Sequence, residues 1–314
     1  MNQTVGKMII PAWIHTLTAL ICGLILAGCT MKPALFTIEG LEKPVSPGEI
    51  IDTGSGNAIS FNQLIDALNK ARVIYVGERH TSMEHHRKQL DVIKALVEKG
   101  KQVSVGMEMF DHTYQRHLNR WSAGEFAWDD FLKQVHWYAN WKFNDALYKD
   151  LLIYIKSRNL PLVGLNIPFH LPAKIAVGGI ETLSPQERGL LPAKIDLSNA
   201  EHRAYLETIY NMHHTIKGRD DFDNFYAAQC AWEDGMAQTI ADNLKESIMV
   251  VIAGNGHIVR KFGIPDRAYS RTKTPFRTIY LATPQSHVSL ADADFIWVSP
   301  ADANNTRGMA MGKH

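Results

Sequence analysis

Short, almost continuous apolar runs alternate along this chain with longer stretches whose apolar residues recur every three or four positions. Four of the runs are Val73-Ile74-Tyr75-Val76-Gly77, Val103-Ser104-Val105-Gly106-Met107, Leu162-Val163-Gly164-Leu165 and Ile248-Met249-Val250-Val251-Ile252-Ala253-Gly254. Strands apolar on both sides are the mark of a parallel sheet covered on both faces. Helical periodicity predicts helices over Phe61–Lys70, Met83–Glu98, Asp145–Arg158 and Asp220–Leu244, and Gly100 stands where the second should end. Two later strands are expected at Thr278–Ala282 and Ala293–Val298, and Tyr114–Trp141 reads as helical and Trp-rich. The fold class is α/β, with a parallel-type central sheet flanked by helices.

Between residues 168 and 219 the rhythm changes. Pro168, Pro172, Pro185 and Pro192 interrupt a helical pattern that also holds Gly178-Gly179. This stretch is expected as a helical cap inserted over the carboxyl edge of the strands. Residues 29–57, rich in Pro, Gly and Thr, read as a tether followed by an edge hairpin or loop. The α/β domain then spans 58–300, and 301–314 form a flexible tail.

The first 28 residues carry a separate message. Lys7 precedes an apolar stretch from about Leu17 to Leu26, and Leu26-Ala27-Gly28-Cys29 follows. That is a secretory signal, with an apolar part shorter than the ~20 residues a membrane span needs. Leu-Ala-Gly-Cys resembles a bacterial lipobox, which implies that Cys29 is lipidated and becomes the new N-terminus. The expected location is the cell envelope, lipid-anchored, on the outer membrane facing the periplasm. Of three cysteines, only Cys230 remains for the folded part, so no intrachain disulfide forms there. Its helical, alanine-rich surroundings mark it as a buried thiol. With 33 basic and 32 acidic residues and no basic stripe, nucleic-acid binding is excluded.

Candidate chemistry collects where the apolar runs end. The first run continues into Glu78, Arg79 and His80, the second into Glu108, the third into Asn166, and the fourth into Asn255-Gly256-His257. Ligands of doubly wound sheets bind beyond the carboxyl ends of the strands, so these side chains are expected in one crevice. Glu78, His80, Glu108 and His257 are the candidate catalytic residues, and Arg79 and Asn166 line the pocket beside them. A carboxylate next to an imidazole can raise its basicity for water activation, or the set can hold a divalent metal. The residues alone leave both uses open. His85-His86 face either the pocket or solvent, and the aromatic set Trp121, Trp128, Trp137 and Trp141 is expected as core.

Several of these segments together resemble the ChaN-like lipoproteins: Gly77-Glu78-Arg79-His80, Gly106-Met107-Glu108-Met109, Gly164-Leu165-Asn166-Ile167-Pro168, the run from Gln229 to Ala237, Ala253-Gly254-Asn255-Gly256-His257 and Gly263-Ile264-Pro265-Asp266-Arg267. The likeness runs in order from about Ile59 to Tyr280. It implies a haem-binding, iron-regulated surface lipoprotein within a wider group that includes Tiki metalloproteases and erythromycin esterases. Two functions follow from it: haem binding in haem or iron acquisition, and, as the alternative, metal-dependent hydrolysis by the strand-end Glu and His residues. A haem binder needs an axial His or Tyr and an apolar cleft. Tyr138 and Tyr269 are the candidates, with Arg260 placed to pair with a propionate. Covalent c-type attachment is excluded because no Cys-x-x-Cys-His occurs. The expected partners are haem, the membrane through Cys29, an outer-membrane haem receptor and a second copy of the chain in a homodimer.

Overall fold

The computed structural model describes residues 35–212 and 221–300. The signal segment, Cys29, His213-His214 and the tail after residue 300 lie outside the described residues. The first strands among the described residues are an antiparallel hairpin of β1 (Ile50–Asp52) and β2 (Asn57–Ile59). Next come α1 (Phe61–Leu68), β3 (Val73–Glu78), α2 (Met83–Glu98) and β4 (Val103–Asp111). Then follow α3 (Gln115–Ser122), α4 (Trp128–Gln134), α5 (Trp137–Asn140), α6 (Lys149–Ser157) and β5 (Leu162–Asn166). After β5 lie α7 (His170–Gly178), α8 (Pro185–Arg188), α9 (Ala200–Met212) and α10 (Phe222–Asn243). The chain ends with β6 (Ile248–Gly254), α11 (Ile264–Thr272), β7 (Phe276–Ala282) and β8 (Phe295–Val298).

The eight strands form one sheet in the order β2-β1-β8-β7-β3-β6-β4-β5. From β8 to β5 every neighbouring pair is parallel, and only the β1–β2 hairpin runs antiparallel at the β8 edge. The stretch expected as tether and hairpin is therefore packed from Phe36 onward, where Phe36, Ile38, Val45 and Ile51 are buried with Ala282, Ile296 and Val298. At the opposite edge the Gln115 side chain donates to Leu162 O at 2.7 Å and accepts from Gly164 N–H at 3.1 Å. One side chain thus covers ladder groups that an exposed edge would offer to another strand.

Alternation along each strand separates two apolar layers. Ile74 and Val76 of β3 pack with Val105 and Met107 of β4 and Val92 and Ile93 of α2. Val73 and Tyr75 face the other way, with Met236 and Ile240 of α10 and Ile264 and Ala268 of α11. The same parity carries into the polar ends, so Glu78 sits on the α2 side of the sheet and Glu108 on the α10 side. Trp121, Trp137 and Trp141 are buried in the α2-side layer, as core. The helical stretch containing them is divided by two left-handed residues, Gly124 (φ +84) and His136 (φ +48).

The insertion after β5 packs along α10: Ile167, Leu171 and Ile175 meet Ala228 and Ala231. It reaches the carboxyl edge through α9, which brings His202 within 3.5 Å of Glu233 and Tyr205 against Phe262.

Candidate functional site

The chain order β3, β4, β5, β6 places β6 last, between β3 and β4. Three strand ends carrying chemistry thus become neighbours. At the β3 end, Glu78 is fully buried and its carboxylate is surrounded by donors. His80 Nδ1 lies 2.7 Å away, the Tyr148 hydroxyl donates at 2.6 Å, Gln89 Nε2 donates at 2.9 Å, and His86 Nε2 lies 3.4 Å away. α2 supplies two of these groups because Ser82 caps it, accepting from His85 N–H, and three-residue spacing puts His86 and Gln89 on the face toward β3. His85 is buried as well, and its Nδ1 accepts the Arg79 backbone N–H at 2.9 Å. Both members of the His85-His86 pair therefore face inward.

At the β4 end, Glu108 Oε2 accepts the Gly254 N–H at 2.7 Å while Oε1 lies 3.4 Å from His257 Nε2. The other side of the His257 ring meets Glu233 Oε1 at 3.3 Å, so the imidazole is clamped between two buried carboxylates. Glu233 comes from the middle of α10. Gln229, one turn earlier, donates to it at 2.8 Å, and His202 and Arg267 each approach its second oxygen at 3.5 Å. Arg267 also pairs with Asp234, which Arg271 engages at 2.7 Å.

Two glycines make this closeness feasible. A Cβ on Gly254 would stand 3.0 Å from His80 Cε1 and 3.2 Å from His80 Nε2. A Cβ on Gly263 would collide with the His257 carbonyl and press on the Glu233 carboxylate at 2.8 Å. His80 thereby reaches across the β6 end toward Glu108, and the Glu78 and Glu108 clusters meet at Gly254.

Burial alone would raise the Glu78 carboxyl, but the charges and hydrogen bonds of His86 and His80 outweigh it and hold the group well below the ordinary carboxylate range. Burial likewise opposes charge on His80, and is outweighed by the Glu78 hydrogen bond and the Glu108 charge, which raise it. For His257, burial is overcome by Glu108 and then Glu233, and the imidazole is pushed up to about 10. Glu108 and Glu233 are both lowered, mainly by His257, against their own burial. His85, without a carboxylate in contact, is pushed down to about 3 by burial. An imidazole held as its cation near neutral pH has no free lone pair to take a proton from water. Clamped between Glu108 and Glu233, His257 is placed to anchor both carboxylates.

Of the expected pocket residues, Asn166 is buried and donates from Nδ2 to the Glu108 carbonyl at 2.8 Å. Arg79 is exposed, and its guanidinium forms no ion pair among the described residues, so it does not brace the two glutamates. The expected cofactor residues lie apart from one another. Tyr138, on α5, is 59% exposed and donates to Asp145. Arg260 is on the turn after His257, in the left-handed region (φ 52), paired with Asp292 at 3.3 Å. Tyr269 packs on Phe276, the first residue of β7, and so stands at the amino edge of the sheet, away from the crevice. α11 runs back along the sheet from the carboxyl edge, which is why a residue soon after Gly263 ends there.

Sequence reasoning missed Glu233, Tyr148, Gln89 and Arg267 as site residues. For Glu233 a signal existed: two adjacent acidic residues, Glu233-Asp234, interrupt an otherwise apolar stretch of helix, where a buried charge needs a partner. Tyr148 offered no such signal. Among the described residues, no group of three or more His, Cys, Asp or Glu side chains is arranged to hold a metal ion, so the divalent metal of the alternative reading gains no support.

Fold and site together define a three-layer α/β protein with paired Glu and His residues at the carboxyl edge of a mostly parallel sheet. Residues 64–268 match the family described as haem-binding uptake, Tiki superfamily, ChaN, and the chain belongs to that family. Among solved structures, the one described as cofacial heme binding to ChaN of Campylobacter jejuni superposes with a TM-score of 0.65 and 21% identity, over 79% of this chain and 95% of that one. An erythromycin esterase mutant, EreC in its open conformation, aligns with a TM-score of 0.44 and 14% identity, over 71% of this chain and 72% of that one. The type III effector HopBA1 aligns with a TM-score of 0.43 and 12% identity, over 76% and 92%. No protein of curated function matches the chain.

Proposed function

We propose that this protein binds haem on its surface and takes part in haem or iron acquisition at the cell envelope, anchored by a lipid on Cys29. The observation that carries the reading is the family match through residues 64–268. The residues present fit the group. An axial ligand needs an oxygen or nitrogen that a porphyrin plane can approach. The His80 side chain is 29% exposed, with Nδ1 engaged by Glu78 at 2.7 Å and Trp141 and Phe143 against its ring at 4.7 and 5.2 Å. Tyr138 meets the requirement, being exposed; its hydroxyl donates to the Asp145 carboxylate, which raises its pKa, so that hydrogen bond must be given up when the oxygen becomes a ligand. Haem bound there would supply its own redox and ligand chemistry. The protein's part is to present the oxygen; Arg260, paired with Asp292 on the turn after His257, lies apart from Tyr138 and is not part of that surface.

The reading extends to two haems held face to face in a homodimer, supported by the cofacial heme binding described for the Campylobacter protein. Delivery to an outer-membrane receptor fits a protein tethered on the periplasmic side. The test is a haem titration of the soluble form beginning after Cys29, followed by the Soret band. A saturable, red-shifted band of micromolar or tighter affinity, weakened by Tyr138→Phe, supports the reading; non-saturating binding removes it. A Cys29→Ala change in the full-length chain should move the protein from the membrane to the soluble fraction, and retention in the membrane would refute the anchor.

A further inference from the structure

The segment ahead of β1 is rooted at one edge of the sheet. Phe36, Ile38 and Val45 are buried against Ala282, Ile296 and Val298. Phe36 and Val45 pair as an antiparallel bridge, exchanging N–H···O bonds of 2.7 and 2.8 Å. Three residues past Val45, the Gly48 N–H donates to the carbonyl of Val298, the last residue of β8, at 2.8 Å. Glu39 runs parallel beside Ser289: its N–H donates to Val288 O at 2.8 Å, and its carbonyl accepts from Leu290 N–H at 3.0 Å. Going back from Glu39 to Leu35 therefore leads toward the turn at residues 283–286, which follows the end of β7. Both relationships put Leu35, which is 60% exposed, at the carboxyl edge of the sheet.

The crevice opens on that same edge. In the sheet β7 is followed by β3 and then β6, so at ~5 Å per strand the end of β7 stands ~5 Å from the end of β3 and ~10 Å from the end of β6. Asp292, two residues beyond Leu290, pairs with Arg260 at 3.3 Å, on the turn that follows His257. Contacts thus run from the rooted segment to the crevice itself. The amino edge lies a strand length away, ~23 Å for the seven residues of β7.

Five residues, Thr30 to Ala34, separate Cys29 from Leu35. An extended chain covers at most about 3.6 Å per residue, so these six steps reach no further than ~22 Å. We propose that the short tether turns the carboxyl edge, and the crevice with it, toward the bilayer surface that holds the lipid on Cys29. This rests on the lipid-anchor reading above and not on the haem reading. Bringing the amino edge to the lipid instead would consume the whole tether, stretched along the flank of the sheet, with almost no conformational freedom left. The exposed charges of the rooted segment are Glu39, Glu42 and Lys43, so no basic cluster there draws the face to anionic lipid, and tether length sets the orientation. Molecules partitioned into the lipid head-group layer are then the ones nearest the crevice mouth.

The test uses the mature form beginning at Cys29, coupled through that thiol to a maleimide-bearing lipid in vesicles of phosphatidylethanolamine and phosphatidylglycerol. The mature form lacks Cys22, and Cys230 is fully buried, so the coupling is specific. A second lipid carries a photoactivated diazirine on its head group, and its adducts are mapped peptide by peptide in a mass spectrometer. Adducts at Arg79, His80 and residues 284–287 should exceed those at residues 53–56 and 99–101 several-fold. Residues 53–56 join β1 to β2, on the flank of the rooted segment but away from the carboxyl edge, and so detect a body lying on its side. Equal or greater labelling there overturns the orientation. A Gly-Ser insert of about 20 residues after Cys29, ~70 Å when extended, should even out the pattern. A bias that survives the insert overturns the tether as its cause. The anchor itself is decided separately, by the fractionation of Cys29→Ala, because the vesicle experiment supplies its own lipid.

Discussion

The backbone N–H of Gly254 donates to Glu108 Oε2 at 2.7 Å, tying the end of β6 to the end of β4 at the point where His80 arrives from β3. Everything at the crevice depends on how closely these three strand ends approach.

Gly254→Ala tests that closeness. The new methyl would stand 3.0 Å from His80 Cε1, tighter than ordinary contact, and His80 is held in place by Glu78. Overpacking of this kind costs about 1–3 kcal/mol. Urea unfolding should show a lower midpoint with an unchanged slope. A midpoint equal to that of the unaltered protein would mean that His80 moves aside without penalty.

Glu233→Gln tests the double clamp on His257. Removing one of two flanking carboxylates should lower the imidazole from about 10, as followed by the pH dependence of its NMR signal. The pH dependence of stability follows from the same linkage. A histidine raised above its unfolded value of 6.5 contributes stability that is complete below that pH and is lost as the pH climbs through about 10. The unaltered protein should therefore lose thermal stability across that window more steeply than His257→Gln. Parallel curves for the two would show that His257 is not the titrating group.

Tyr148→Phe removes the hydroxyl that donates to Glu78 at 2.6 Å and leaves the ring packed on Trp137 and His86. Hydrogen bonds to buried charged groups are worth about 1.5–3 kcal/mol, and the loss should be of that size. A conserved fold with lower stability is the expected outcome, measured by calorimetry. No loss would show that Glu78 is satisfied by His80, His86 and Gln89 alone.

Tyr269→Phe should leave haem affinity within about twofold of the original, because the residue stands at the amino edge of the sheet, packed on Phe276. The Soret titration that reads Tyr138→Phe reads this variant too. A loss at Tyr269 with none at Tyr138 would move the haem surface to the opposite end of the molecule.

The sequence by itself determined the layers and much of the crevice. Apolar runs of four to seven residues gave buried parallel strands, and β6 was legible over its whole length, Ile248 to Gly254. The α2 helix spans Met83–Glu98, the limits its periodicity and Gly100 predict. Local pattern encodes which way a side chain points, but not what lies across from it. The partner of Glu78, Tyr148 just before α6, is 70 residues away in sequence and the partner of His257 on α10 is 24 away. Tertiary structure decided both, because β6 returns late in the chain to insert between β3 and β4 and carries α10 and α11 onto one face. Arg79 shows the same limit: it stands between buried Glu78 and half-buried His80, yet it is exposed, because β3 ends at Glu78 and the chain leaves the sheet there.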